Sequence, residues 1–386
     1  MATPLTRNTI IGVAPEVTEG TYVAPTANQA IQVVEFPTIT PEAEVIERNI
    51  IKGSIGRLKP LQGLHSGSIE FQVEAKAAGV TGGLSDQPEI HDLLRSALGT
   101  FHNAGANSLT DVASTDTIIE LDTGDGSNFV VGAILMILGE VRFVRSILGD
   151  QLTLNRALSK GAPASGVTVF GGWTYFPVTS GHLPLSITAF LGDWEQRMLG
   201  CRASNLAFAD FSTGQIPKLS FTFDVIDHDS VVGTLLANPV YEDQVPPLAL
   251  AGNIFKDTTL FCINNLALTN AQTVTPETCI NTPGGRNRLF VTDRNITGTF
   301  DPFVDDTTVQ RFTDWINNND FEIEAVLSIP DVSGDFVQGT SFGIWLPQTN
   351  YTGMSFTDND GTVAHELPFS AHESASLNDE IYMGFI

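Results

Sequence analysis

Basic residues are scarce in this 386-residue chain. It has 19 Lys+Arg against 44 Asp+Glu, a formal charge of −25 at pH 7. An open surface of that sign repels nucleic acid and anionic membranes, which excludes tight phosphate binding as the main task. The bias is uneven: after Arg311 only His365 and His372 remain as basic side chains, among many acids. Cysteine is scarce too. Cys201, Cys262 and Cys279 are an odd, sparse set that makes no disulfide framework and fits assembly in a reducing compartment. No apolar run reaches membrane-spanning length; the nearest, Phe129 to Leu138, is far too short. Met1 to Thr9 has no apolar h-region, so no export signal is expected. Without export, the acceptor patterns Asn295-Ile-Thr297 and Asn350-Tyr-Thr352 carry no meaning.

Hydrophobic residues, by contrast, make up 42%, enough for a sizeable core, and 35 Gly and 20 Pro are spread along the chain. Short apolar runs cut by turns indicate a mainly β protein, and the length suits two domains. Residues 1–30 are rich in Thr, Pro and Ala and read as an N-terminal arm. The first clear strand is Ile31 to Phe36, followed by a long polar loop over 41–65. Ser68-Ile-Glu-Phe-Gln-Val-Glu-Ala75 alternates strictly, with Ile69, Phe71 and Val73 on one face and Glu70, Gln72 and Glu74 on the other. A helix follows, capped by Ser85 or Asp86, with Ile90, Leu93, Leu94 and Leu98 as its apolar stripe and Gly99 as its stop. Residues 103–182 hold short strands and tight turns of a different character and read as a small inserted β-barrel. Leu183 to Leu191, Cys201 to Phe208 and the alternating Lys218 to Val225 then complete a first domain over 31–229. Residues 230–254, with Pro239, Pro246 and Pro247, read as a linker.

Residues 255–386 repeat the order of the first domain: strand (Leu260 to Leu268), long polar loop (273–289), strand (Asn295 to Asp301), helix, strand, strand pair. The second helix, Thr307 to Asn318, carries Val309, Phe312, Trp315 and Ile316 as its stripe, and Phe321 to Ile329 matches Leu183 to Leu191. A weak but ordered repeat of this kind points to an internal duplication.

No catalytic or metal-binding constellation emerges, and no cofactor is expected. Asp227-His228-Asp229 reads as a solvated turn. Asp122-Thr-Gly-Asp-Gly126 and Asp358-Asn-Asp-Gly361 lack a full calcium ligand ladder and read as Asp-Gly hairpins. Gly124-Asp-Gly126 lacks the third glycine of a dinucleotide motif. Cys201 falls in a strand and reads as core, and Trp194, Trp315 and Trp345 read as packing residues.

Several runs resemble the tail tube proteins of long-tailed, non-contractile phages. Thr9-Ile-Ile-Gly-Val with Glu19-Gly-Thr-Tyr-Val-Ala-Pro25 resembles their opening arm. Ile46-Glu-Arg-Asn-Ile-Ile-Lys52 with Gly53 to Gly63 resembles the loop that docks on the neighbouring ring, and Gly214-Gln-Ile-Pro-Lys-Leu-Ser-Phe-Thr-Phe223 resembles the strand that closes each domain. The resemblance implies two tandem β-sandwich domains, each with one flanking helix. Six such domains make a ring, so a two-domain chain needs three copies, and stacked rings enclose a channel for genomic DNA. It implies a structural, non-enzymatic virion protein assembled in the host bacterial cytoplasm. Its partners are itself, the tape measure protein, the tail terminator and the distal tail proteins, with DNA passing unbound and no membrane.

Two sets of residues follow as site candidates. An acidic wall keeps DNA at a distance, across a Debye length of ~8–10 Å. The channel candidates are Glu70, Glu74, Glu322 and Glu324, then Asp224 and Asp301. The two polar loops hold Arg48, Lys52, Arg57, Lys59, Arg286 and Arg288, which are candidates for contacts between stacked rings. Alternative readings are a tail terminator, a neck or a head decoration protein, a secreted tube of the type VI kind, or a carbohydrate-active β-sandwich.

Overall fold

The computed structural model describes residues 5–250, 252–375 and 378–386. Strands dominate, with two α-helices. In the first half the strands are β1 (Thr9–Pro15), β2 (Thr38–Ile46) and β3 (Leu61–Glu74), then helix α1 (His91–Ala97). β4 (Gly99–Asn103) and β5 (Trp173–Pro177) carry the chain out to the insertion and back. β6 (Leu185–Leu191), β7 (Trp194–Ala209), β8 (Lys218–Val225) and β9 (Asp227–Val232) complete the half. The second half contains β10 (Asn253–Lys256), β11 (Leu266–Thr278) and β12 (Arg286–Phe300), then helix α2 (Thr308–Asn317). β13 (Phe321–Leu327), β14 (Phe342–Tyr351), β15 (Ser355–Asn359), β16 (Thr362–Ala371) and β17 (Tyr382–Phe385) follow.

Strand pairing runs in the same order in both halves. β1 pairs with β6 and β6 with the first part of β7, whose other side takes β9. Likewise β10 pairs with β13 and β13 with β14, whose other side takes β17. The second part of β7 pairs with β8, β8 with β3, and β3 with β2. Correspondingly the end of β14 pairs with β16, β16 with β12, and β12 with β11. The halves meet where β7 pairs with β11, Asn205 opposite Ala271 and Ala207 opposite Thr269. One uninterrupted sheet thus runs β2-β3-β8-β7-β11-β12-β16.

Alternation explains the core. Ile69, Phe71 and Val73 of β3 and Leu219, Phe221, Phe223 and Val225 of β8 are buried, while Glu70 and Thr222 face away. The core continues across the halves: Phe208 stacks on Phe342, and Tyr175 meets Phe385 edge to face. The insertion has a core of its own, including Ile119, Leu135, Val144, Leu152 and Val169. Its six strands lie between Ser108 and Gly171, and the Thr110–Leu121 bridge with the Asp122 N–H to Leu109 carbonyl bond closes them on themselves.

Several expectations change. Residues 9–15 are a paired strand with Ile11 and Val13 buried, not part of an arm. Ile31 to Phe36 is not a strand; only Ala30–Ile31 is extended. The polar stretches 41–65 and 273–289 are long hairpins, β2–β3 and β11–β12, not loops. Much of β2 and the outer part of β3 are exposed on both faces, so no alternation marks them. α1 starts without a side-chain cap, and neither Ser85 nor Asp86 serves as one. Asp227-His228-Asp229 starts β9; Asp227 bonds His65, and the two histidine rings stack. Gly124 and Gly126 donate backbone N–H to Asp150, and residues 125–128 form a 3-10 turn in place of a hairpin. Asp360 and Gly361, both at positive φ, do make the β15–β16 hairpin. Trp345 is buried as expected, but Trp194 is half exposed.

Most of the stripe on α2 faces outward, while Trp315 packs against the core. Val309 is 74% and Ile316 60% exposed, with Phe312 also exposed, while Arg311 and Asp314 are buried. Arg311 pairs with Asp305 at 2.7 Å and Asp314 with Lys256 at 3.2 Å. The helix docks through Trp315 and through charged side chains that find partners, without which desolvation would make their burial costly.

Candidate functional site

The surface best placed to act is the polar face of the seven-strand sheet. Its rows read across the strands: Thr38, Glu70, Thr222, Asn205, Ala271, Asn295 in one, and Gln72, Ser220, Ala207, Thr269, Thr297, Ser370 in the next. These side chains are small and mostly hydroxylated or amide-bearing, so the face is smooth and polar.

Glu70 is exposed in the middle of β3, and Glu74 lies opposite Lys218. Asp224 sits on β8, half-buried; burial pushes its carboxyl up, while the Ser204 hydroxyl bond and nearby Arg286 pull it down. Asp301 follows the end of β12 and accepts the backbone N–H groups of Asn264 and Asn265. Glu42 and Glu44 on β2, missed because that strand read as loop, add exposed acids at the sheet's border.

Glu322 and Glu324 do not belong here. Both are on β13, outside the seven-strand sheet, and are buried beneath the insertion. Arg145 pairs with Glu322, and Arg156 Nε donates to Glu324 Oε2 at 3.0 Å. Burial, the largest influence, raises the Glu322 carboxyl to about 7 despite Arg145. Alternation in Phe321-Glu-Ile-Glu implied one wet face, but every residue of β13 is buried. Nothing in the sequence links these acids to arginines so far upstream.

Around that ion cluster Ile134, Met136 and Phe143 of the insertion pack on Val326, Trp345 and Tyr382. The fit is close: a Cβ on Gly132 would lie 1.8 Å from the Tyr382 ring, and one on Gly384 would lie 2.6 Å from Ile134.

The basic candidates fall into two groups. Arg48, Lys52, Arg57 and Lys59 sit on the exposed tip between β2 and β3, where Arg57 faces Glu47 at 3.7 Å. The same tip exposes Ile50, Ile51 and Ile55, the last two completely. In the second hairpin Arg288 is engaged within the chain, with Glu277 at 2.8 Å. Arg286 lies near enough to Asp224 for its charge to pull that carboxyl down.

Both ends of the sheet are open. Among the described residues, the outer side of β2 and the outer side of 350–359 have no strand partner. Also among them, no group of three or more His, Cys, Asp or Glu side chains could hold a metal ion, and no helix is long and apolar enough to cross a membrane.

A mainly β chain with unpaired sheet edges, apolar hairpin tips and a smooth polar face has the features of a self-assembling structural protein. A family model described as phage tail tube protein matches residues 6–371. The chain therefore belongs to the phage tail tube protein family: it is a structural component of the virion tail that assembles with itself into a tube. No curated protein matches the chain.

Proposed function

We propose that three copies of this chain close into a ring with pseudo-sixfold appearance, and that stacked rings form the channel of a long, non-contractile tail through which DNA leaves. Each chain supplies two tandem tube domains, the first with the insertion over about 103–182. The observation that carries this reading is the doubled pairing order with two open edges. A strand edge exposes N–H and C=O groups that pair readily, and closure around a ring satisfies all of them. A heterologous contact that closes under rotation gives a ring.

The seven-strand sheet turns its polar face to the bore. Glu70, Glu74 and Asp224, with Glu42 and Glu44, give that wall its sign, and Asp301 stands at its rim. Such a wall repels the duplex, and Lys218, opposite Glu74, is already paired with Asp210. The tip 47–60, with Arg48, Lys52, Arg57 and Lys59, reaches the next ring, where its isoleucines find cover; Arg288 contributes less because Glu277 already holds it, and Arg286 because its charge acts on Asp224 within the chain. The tape measure protein, tail terminator and distal tail proteins bound the tube, which assembles in the host bacterial cytoplasm.

Electron microscopy of the purified protein or of virions tests this. Hollow tubes whose rings average with threefold symmetry are expected. Rings of six full-length chains, or discrete particles without tubes, refute it.

A further inference from the structure

The junction between the two halves contains instructions for the junction between copies. With Ile69 matched to Ile296 and Val73 to Phe300, the pairings on both sides place Thr38, Ile39 and Thr40 where Thr269, Asn270 and Ala271 stand in the second half. On the other strand Asn350, Tyr351 and the following Thr352 stand where Asn205, Leu206 and Ala207 stand in the first. Within the chain Asn205, Leu206 and Ala207 pair antiparallel with Ala271, Asn270 and Thr269. Their counterparts, Asn350–Thr352 and Thr38–Thr40, have no strand partner on their outer sides among the described residues.

We infer that neighbouring copies repeat this join residue for residue: Thr38 of one copy lies opposite Thr352 of the next, Ile39 opposite Tyr351 and Thr40 opposite Asn350, in antiparallel pairing. The inference deepens the ring reading and rests on it. The occupant of the open edge is a second copy because each open edge matches a partner already used inside the chain.

Charge supports the same register. Inside the chain the tip of the β11–β12 hairpin lies on the first half, Gly285 close to Leu64 and Gly284 close to Asp227 and His65. There Arg286 acts on the Asp224 carboxylate. The match sets Lys59 in the place of Arg286. The place of Asp224 falls at His372, next to Glu373, which Arg294 already meets at 3.6 Å, and exposed Asp293 on the neighbouring strand offers the acid. The base of the β2–β3 hairpin thus brings a cation to an acidic patch on the next copy. Its tip, 47–60, is longer than its counterpart 279–285 and extends past the lateral contact toward the next ring.

The test uses full-length protein with exposed Cys262 and half-buried Cys279 changed to Ser. Thr38→Cys with Thr352→Cys, and Thr40→Cys with Asn350→Cys, bring sulfurs within bridging range in this register. Oxidised tubes of either pair are expected to run as covalent oligomers on a denaturing gel, while Thr38→Cys with Thr357→Cys stays monomeric. In parallel, Lys59→Glu should lower the yield of tubes by at least about tenfold and Asp293→Lys should restore it, the charge contact being the pair exchanged. If wild-type tubes form but both matched pairs stay monomeric, or if the charge exchange fails to rescue, the register is wrong and the ring reading survives. If the wild-type chain makes no rings or tubes, the ring reading falls and the register with it.

Discussion

α1 and α2 occupy the same place in the two halves and treat their apolar residues in opposite ways. In α1, Leu93 and Leu94 are completely buried, and His91 bonds the Tyr175 hydroxyl within a cluster that includes Phe101 and Trp173. Those aromatics come from β4 and β5, the two strands that lead into the insertion. The second half has no insertion at that point, so no such ribbon covers α2, and Val309, Phe312 and Ile316 stay exposed. A stripe of apolar residues therefore does not say what it will be buried against. The neighbouring elements decide that, and here one half has a cover the other lacks.

The insertion imposes the second difference. It springs from the first half yet covers β13 of the second, converting two acids into a buried ion cluster. Removing one partner of a buried ion pair leaves the other uncompensated. Glu324→Ala should therefore cost about 3–5 kcal/mol, whereas Glu70→Ala on the open sheet face should stay within about 0.5 kcal/mol. Urea denaturation of the unassembled chain measures both, and equal losses would mean the insertion does not seal β13.

Helix packing can be compared in the same way. Leu94→Ala should cost about 2–5 kcal/mol as a core cavity, and Ile316→Ser within about 0.5 kcal/mol in the unassembled chain. A large loss from Ile316→Ser would show that α2 has a cover within the chain.

The two halves should also respond to pH with opposite slopes. Glu322, held at about 7 against an ordinary 4.5, keeps its proton longer when folded than when unfolded. Its contribution to stability is fullest below about 4.5 and declines as pH rises toward 7. His91 is pushed down to about 4 by burial, with Arg95 adding to the effect, so the unfolded chain binds its proton first. Its contribution is fullest above 6.5 and declines as pH falls toward 4. Glu322→Gln should flatten the loss between pH 4.5 and 7, and His91→Gln the loss between 6.5 and 4, each read as the difference from wild type in thermal melts. A Glu322→Gln difference that does not vary with pH would place that carboxyl in water.

The smallest contrast concerns two hairpin tips. Gly361 sits at φ +84° and Gly53 has no such constraint and open space around it. Gly361→Ala should cost about 1 kcal/mol and Gly53→Ala close to nothing, since only the first forces a side chain into the left-handed region. Melting temperatures of the two variants decide it.

Strict alternation in Ser68 to Ala75 and Lys218 to Val225 fixed two neighbouring strands of the sheet, because one face of each is wet and the other dry. The helix at Leu93 and Leu94 and the Asp360-Gly361 turn were legible for equally local reasons, whereas the repeated order of elements was read with long loops where the chain makes hairpins. Hairpin β2–β3 was not, since strands exposed on both faces leave no period to read. The candidate wall was legible in part: Glu70 could be placed from its own strand, whereas Glu322 and Glu324 show the same alternation and are buried. Their fate depended on Arg145 and Arg156, far away in sequence, and only the tertiary structure brings those charges together. Local physics wrote the strands, and long-range packing decided which of their faces meet water.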